Sequence, residues 1–462
     1  MRWPAAAALF FSGCAVGPNY RRPAADVPAG WKTAAPVANA GPAKASLWWR
    51  NFQDPELTLL VEGGLKNNLD VQLAEARLRQ ARAARGVISG GFWPTLTASG
   101  SAQRGANAGS TSNNPFGAAT THSFQAGLDA VWELDIFGGV RRNVESADAA
   151  VEAAQAGMGD VQVTLAAEVA LDYLQVRSSQ EQIAIAHESL SAERHIAGLI
   201  HQRLKVGFAS ALDAANADAQ VATTASAIPP LETSLQQAIH ALGVLMGRPP
   251  DDLAGELSQP GSVPSVLPEV PIGLPSDLIR RRPDVRAAEA QLHAATAQIG
   301  AAVADFFPRF PLTASAGYQS SRLRTLFATA SRSWSIGPTV TWPILQGGSI
   351  AANVRVQEAL RDQAYLTYRK TVLTALQEVE DALVALANEE DNRKALTEAA
   401  VQNRRALDLS GRLYAQGEAD FLAVLDAERS LYSSQTALAQ SRLAASAEIV
   451  ALYKALGGGW RE

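Results

Sequence analysis

Four stretches of this chain alternate apolar and polar residues at every second position, while most of the remainder repeats apolar residues at helical spacing. Leu96, Ala98, Gly100 and Ala102 alternate with Thr95, Thr97, Ser99, Ser101 and Gln103. Phe124, Ala126, Leu128, Ala130, Trp132 and Leu134 alternate with Gln125, Gly127, Asp129, Val131, Glu133 and Asp135. Leu312 to Gln319 and Ser333 to Ile344 repeat the pattern. Each predicts a strand with one apolar and one polar face. Strict alternation over about ten residues is the length and pattern of a tilted strand crossing a bilayer. A soluble sandwich would need an opposing sheet, and no further alternating segments supply one. The aromatics Phe92, Trp93, Trp132, Phe306, Phe307, Phe310 and Trp342 fall at the beginnings or ends of these strands. Up-and-down hairpins place them all at one end, as an interfacial girdle requires.

Outside the strand pairs the period changes. Leu57, Leu60, Val61 and Leu65, then Leu69, Leu73, Ala76 and Ala81, predict helix from Asp54-Pro55-Glu56 to about Gly91, with Pro at the first turn. Gly63-Gly64 weakens that helix by ~1 kcal/mol each relative to Ala. Beyond each second strand a proline-free run reaches Gly207 or Gly417, then returns as a shorter helix to near Gly247 or Gly457. At ~1.5 Å per residue each long run stretches ~100 Å. Glycine at the two reversals fits a tight turn that needs a left-handed residue.

The alternation of elements is a duplication. Ala74-Glu75-Ala76, Leu78, Ala81, Gly86 and Pro94 return without a gap as Ala288-Glu289-Ala290, Leu292, Ala295, Gly300 and Pro308, 214 residues on. Trp132 returns as Trp342, Gly138-Gly139 as Gly347-Gly348, and Gly207 with Leu212 as Gly417 with Leu422. Such a period is far above that of solenoid repeats, so two-fold pseudo-symmetry belongs to the architecture.

Composition narrows the class. Hydrophobic content is 47% but aromatics only 6%, so the apolar mass is largely Ala, Leu and Val, which suits long, closely packed helices. A net charge of -5 gives no sign of nucleic-acid binding. One cysteine excludes an internal disulfide or a thiolate metal cluster. His187, His195 and His201 fit no ligand spacing and read as solvated helix residues. No nucleophile elbow, metal spacing or phosphate loop occurs, so neither catalysis nor a cofactor is expected. The cysteine is Cys14, after a positive start, an apolar stretch and Ser12-Gly13. That is a signal-peptide pattern, and Ser-Gly-Cys resembles a bacterial lipobox whose Cys is lipid-modified.

The chain thus divides into a signal peptide (1–13), an extended lipid-anchored arm (14–50), a first repeat (51–255), a linker (256–270) and a second repeat (271–462). Barrel strands are expected at about 94–136 and 310–345, and helical hairpins at about 139–247 and 348–457. Open strand edges in a bilayer cost several kcal/mol per unpaired group, and about eight strands is the smallest natural barrel. Four strands therefore predict a barrel shared between protomers, with dimer, trimer and tetramer all able to close it. Asp129, Glu133 and Asp135 on one polar face predict a lumen that prefers cations, unless Arg141 and Arg142 just past the strand neutralise them.

Three segments carry a family resemblance: Cys14 to Pro23, Trp48-Trp49 to Asp54-Pro55-Glu56-Leu57, and Gly273-Leu274-Pro275-Ser276 to Arg281-Arg282-Pro283-Asp284-Val285-Arg286. They resemble TolC-like outer membrane factors, in particular the NodT-type efflux lipoproteins of tripartite pumps. The fold class this implies is an α+β membrane protein: a duplicated half-molecule whose shared β-barrel is continued by a long periplasmic α-helical barrel. The resemblance implies a homotrimer in the outer membrane, docked to a periplasmic adaptor and an inner-membrane proton-driven pump. The function implied is passive efflux of small molecules, with the exit of a type I protein-secretion system as the alternative. It also implies that the tips at Gly207 and Gly417 face the adaptor. Leu422, Asp426 and Arg429, spaced i, i+4, i+7 on one helix face, match the family's closed periplasmic aperture.

Overall fold

A computed structural model describes residues 15–24, 27–32, 47–107, 119–264 and 275–460. Cys14, the signal peptide and Gly273-Leu274 lie outside the described residues. Two compact units are present. The first gathers the described residues of 1–24, 78–154 and 288–368, and the second those of 25–77, 155–287 and 369–462.

The first unit holds one antiparallel sheet in the order β1 (Thr95–Asn107), β2 (Ala119–Glu133), β3 (Pro311–Ser320), β4 (Arg332–Pro338). Its register sorts the side chains into rows. Thr97, Asp129, Ser315 and Ser335 stand opposite one another, as do Leu96, Ala130, Ala314 and Ile336. Ala98, Leu128, Ala316 and Trp334 form a second apolar row. β4 is shorter than the alternation to Ile344 suggests. Pro338 has no N–H to give the ladder, and pairing resumes beyond it only where Thr339 N donates to Pro311 O at 2.9 Å and Thr341 bridges Arg309.

At the foot of the sheet the duplication repeats a hydrogen bond. Trp132 Nε1 donates to Phe92 O, and Trp342 Nε1 to Phe306 O, both at 3.0 Å. Phe137 stacks on Phe307 with centroids 4.5 Å apart. These aromatics all sit at one end of the strands. Gly138 and Gly348, at φ +81 and +82, turn the chain into α3 (Gly139–Lys205) and α7 (Ser349–Gln416). The matching glycines of the two halves are therefore these, one residue out of step with the pairing of Gly138-Gly139 and Gly347-Gly348.

The second unit is helical. α1 (Pro55–Asn67) and α2 (Leu69–Ser89) are separate helices, because Asn68 caps α2 by accepting from Asp70 N at 2.7 Å and donates its amide to Leu245 O. A Cβ on Gly64 would meet Val169 at 3.3 Å, so close approach of α3 accounts for that glycine. α4 (Ala211–Leu245) runs through Pro229 and Pro230, and α5 (Pro275–Arg281) precedes α6 (Pro283–Ala304), which passes into the first unit at Ala288. α8 (Phe421–Ala455) completes the second hairpin. Ala197 and Ile200 of α3, Ala214 and Ala217 of α4, and Phe421, Val424 and Leu425 of α8 share one core cluster near the turns.

Candidate functional site

Two places in the molecule hold the residues singled out in the sequence. The first is the sheet. Leu96, Leu128, Trp334 and Ile336 project from one face and are all more than two-fifths exposed. An apolar band this broad needs a non-aqueous covering. The opposite face carries Thr97, Asp129, Ser315 and Ser335, with Ser99 Oγ donating to Asp129 at 2.9 Å and the two serine hydroxyls 2.9 Å apart. β1 and β4 each have one unpaired edge in the protomer.

The three carboxylates singled out on β2 differ. Asp129 stands in the polar row. Glu133, at the strand's end, accepts from Phe310 N at 3.0 Å and ties β2 to the start of β3. Asp135 lies past the end of β2. It caps α3, accepting from Val140 N and Arg141 N, and pairs with Arg141 Nε at 3.2 Å. Arg141 therefore offsets the Asp135 charge. Arg142 points elsewhere. It is buried, holds Glu145 at 2.7 Å, and donates to Val16 O, Gly17 O and Asn19 of the arm. Burial works against the charged form of Glu145, yet hydrogen bonds from Arg142 and His293 hold its carboxyl below the ordinary value.

The second place is the pair of helix reversals. Gly207 and Gly417 have φ of +80 and +79, with open space where a Cβ would stand. Phe208 N donates back to Arg203 O at 2.8 Å and Glu418 N to Leu413 O at 2.9 Å, so each turn closes its helix in the same way. Ser210 caps α4 in a reciprocal box with Asp213, and Asp420 caps α8 through Ala423 N. Beyond the second turn Leu422 and Asp426 are exposed on α8. Asp426 makes no side-chain bond among the described residues. Arg429 does not pair with it; its Nε donates to Gln220 Oε1 of α4 at 2.7 Å. Gln220 in turn donates to Glu193 of α3 at 2.9 Å. Neither Gln220 nor Glu193 stands out in the sequence, because their partners are remote along the chain. A polar residue recurring on an otherwise apolar helix face is the one signal they leave. His201, expected to be a solvated helix residue, is exposed but lies 3.0 Å from Asp218.

The outer membrane efflux protein family matches twice, at residues 60–248 and 274–458, once in each half. Outer membrane protein OprJ of Pseudomonas aeruginosa is 37% identical over 98% of this chain and 95% of its own length. Nodulation protein T of Rhizobium leguminosarum bv. trifolii is 32% identical over 98% and 96%. The solved outer-membrane channel OprN is similar at TM-score 0.91 and 37% identity, over 97% of this chain and 100% of that one. The chain belongs to the outer membrane efflux protein family. Its architecture is the family's: a duplicated α+β membrane protein whose four strands per protomer contribute to a shared barrel continued by long helices.

Two of the three segments that carry the resemblance fasten the second unit. Trp48 stacks on Tyr453 with centroids 5.3 Å apart, and Asn51 donates to the Tyr453 hydroxyl. Asp54 caps α1 and accepts from the buried Tyr173 hydroxyl at 2.7 Å. Arg177 joins Tyr173, Glu56, Gln180 and Gln259 O. In the Arg281-Arg282-Pro283-Asp284 motif, Arg282 forks onto Asp284 at 3.0 and 2.8 Å. It also binds Glu378 at 2.6 Å and Ala455 O at 2.9 Å. That ties the start of α6 to the end of α8. The motif is thus a structural fastening.

Proposed function

We propose that the protein is the outer-membrane exit duct of a tripartite efflux system, conducting small molecules passively from a periplasmic adaptor and inner-membrane pump to the exterior. The observation that carries this is the four-stranded sheet with one apolar and one polar face and unpaired outer edges, in a chain of the outer membrane efflux protein family. Backbone groups at such edges are satisfied in a bilayer only by closure with further copies. A trimer closes them into twelve strands, with the apolar rows to lipid and the polar rows around water.

Cys14 is the site of acylation. In support, Ala15, the next residue, packs against Gly138 at the aromatic foot of the sheet, and Val16 N donates to Phe137 O at 3.1 Å. An acyl chain on Cys14 would then begin at the membrane surface. Leu422, Asp426 and Arg429 form the periplasmic aperture, where a leucine ring excludes water and the gathered Asp426 carboxylates repel unless hydrated or bound to cations. The turns at Gly207 and Gly417 face the adaptor. Of the lumen carboxylates, Asp129 carries the cation preference, Glu133 contributes at the rim, and Asp135 adds little because Arg141 pairs with it. The names of relatives such as the toluene efflux pump protein TtgC favour efflux of small molecules over secretion of proteins.

Deleting the gene and returning it on a plasmid tests this in cells. Loss should raise retention of small amphiphilic compounds, and return should restore efflux, with the protein in the outer-membrane fraction. Unchanged retention together with a failure to secrete a protein would favour the secretion exit instead.

A further inference from the structure

The end of the sheet away from the aromatic foot carries arginine on the face that is apolar elsewhere. Beyond the two apolar rows the register sets Gly100, Ala126, Tyr318 and Arg332 in one row, then Ala102, Phe124 and Ser320, then Arg104 opposite His122. Arg104 and Arg332 lie on the outer strands, β1 and β4, and both are exposed. Arg322 and Arg324 are exposed in the connection from β3 to β4. That connection is held by its own hydroxyls. Ser320 Oγ and Thr325 Oγ1 are 2.7 Å apart, Arg322 N donates to Ser320 Oγ at 3.2 Å, and Ser331 Oγ donates to Thr325 O at 2.8 Å. It sets Phe327, 71% exposed, edge-on to Tyr318 with ring centroids 5.5 Å apart, and leaves Leu323 65% exposed. No carboxylate answers these cations. The sequence holds no Asp or Glu from Pro94 to Leu128 or from Phe306 to Gln357. The guanidinium groups of Arg104, Arg322, Arg324 and Arg332 make no hydrogen bond or ion pair among the described residues. Arg309, at the foot, differs in having Asp305 at 2.6 Å.

A guanidinium has five N–H donors and keeps its charge, so on a lipid-facing strand it belongs at the membrane surface, beside an anionic acceptor. The height fits. From Trp93 at the foot to Arg104 the strand climbs ~36 Å at ~3.3 Å per residue, or ~28 Å at a tilt of ~40°, close to the apolar band of an outer-membrane barrel. Arg104 and Arg332 share the face of Leu96, Leu128 and Trp334, so a solute in the lumen does not meet them. We propose that Arg104, Arg322, Arg324 and Arg332 bind the phosphate groups of the phosphorylated glycolipid in the outer leaflet of the outer membrane, with Tyr318, Leu323 and Phe327 against its acyl chains. This rests on the duct function, which puts the helices on the periplasmic side and the arginine end outside. The planar fork of arginine matches a phosphate with two parallel hydrogen bonds. Several cations gathered without one acid fit a headgroup bearing several phosphates better than a phospholipid bearing one. Closing the barrel sets β1 of one copy beside β4 of the next, so the arginines of neighbouring copies face the same headgroup layer.

The test uses the assembled full-length protein in a neutral detergent. A bisphosphorylated glycolipid, the same lipid stripped of its phosphates, phosphatidylglycerol and inorganic phosphate are added in turn. Bound lipid is counted by native mass spectrometry and the thermal midpoint is followed. The bisphosphorylated glycolipid should bind wild type and raise its midpoint, while the stripped lipid and inorganic phosphate should do neither. Phosphatidylglycerol should bind about tenfold more weakly than the glycolipid. Arg104→Gln with Arg332→Gln should lose about tenfold in glycolipid affinity per arginine, from the charge-assisted hydrogen bonds removed. Arg355→Gln, at an exposed arginine of α7, should bind as wild type does. Arg322→Gln with Arg324→Gln gives a loss in the same direction if the first pair fails to assemble. Equal binding of the phosphorylated and stripped lipids, equal binding of phosphatidylglycerol, or wild-type affinity in both pairs of variants would overturn the proposal. Absence of current from a protein that still binds the glycolipid would overturn the duct function instead and leave the lipid site standing.

Discussion

The two helix reversals share one backbone and differ in chemistry. Each closes on a glycine near φ +80, each returns into a capped helix, and the second repeats the first 210 residues later, Gly207 to Gly417. On that common frame the first turn presents Phe208, 82% exposed, where the second presents Glu418. Ser210 is matched by Asp420, Asn216 by Asp426, and Ala219 by Arg429. Duplication has kept what the backbone demands and let the side chains part, so that charge gathers on the second hairpin. A turn that needs positive φ tolerates little else than glycine, whereas an exposed helix position tolerates almost anything.

The largest expected difference is in flow. Asp426→Ala and Leu422→Ala should raise single-channel conductance several-fold, while Asn216→Ala and Leu212→Ala should leave it unchanged; equal effects in both hairpins would remove the second hairpin's special role. The shared frame should respond alike. Gly207→Ala and Gly417→Ala each force an L-residue into the left-handed region at ~1–2 kcal/mol, visible as similar falls in thermal midpoint. Ser210→Ala and Asp420→Ala should each cost ~1 kcal/mol of helix capping, again in step. The smallest effect concerns the sheet. Asp129→Asn should weaken cation preference in reversal-potential measurements, whereas Asp135→Asn should change stability more than selectivity, because Arg141 already offsets its charge.

Local pattern made the strands, the long helices and the glycine turns legible, since each follows from periodicity or from a backbone conformation only one residue type adopts readily. The aromatic foot of the sheet was legible too, because hairpin geometry fixes which ends coincide. Harder to read were features set by contacts far apart in sequence. Asn68 divides α1 from α2 because it reaches Leu245, and Pro338 shortens β4 although the alternation continues past it. The spacing of Asp426 and Arg429 suggests an ion pair within one helix, yet Gln220, 209 residues away, takes the arginine. Glu193 and Glu428 look like ordinary helix glutamates until packing buries both. Asp135 reads as part of a polar strand face, but it caps the next helix.

The most direct measurement of the central claim is current across a planar bilayer containing the purified full-length protein. Discrete channel openings should appear, small in wild type, larger in Asp426→Ala, and favouring cations under a salt gradient. A protein that inserts into the bilayer yet passes no current, in wild type and in Asp426→Ala alike, would contradict the duct.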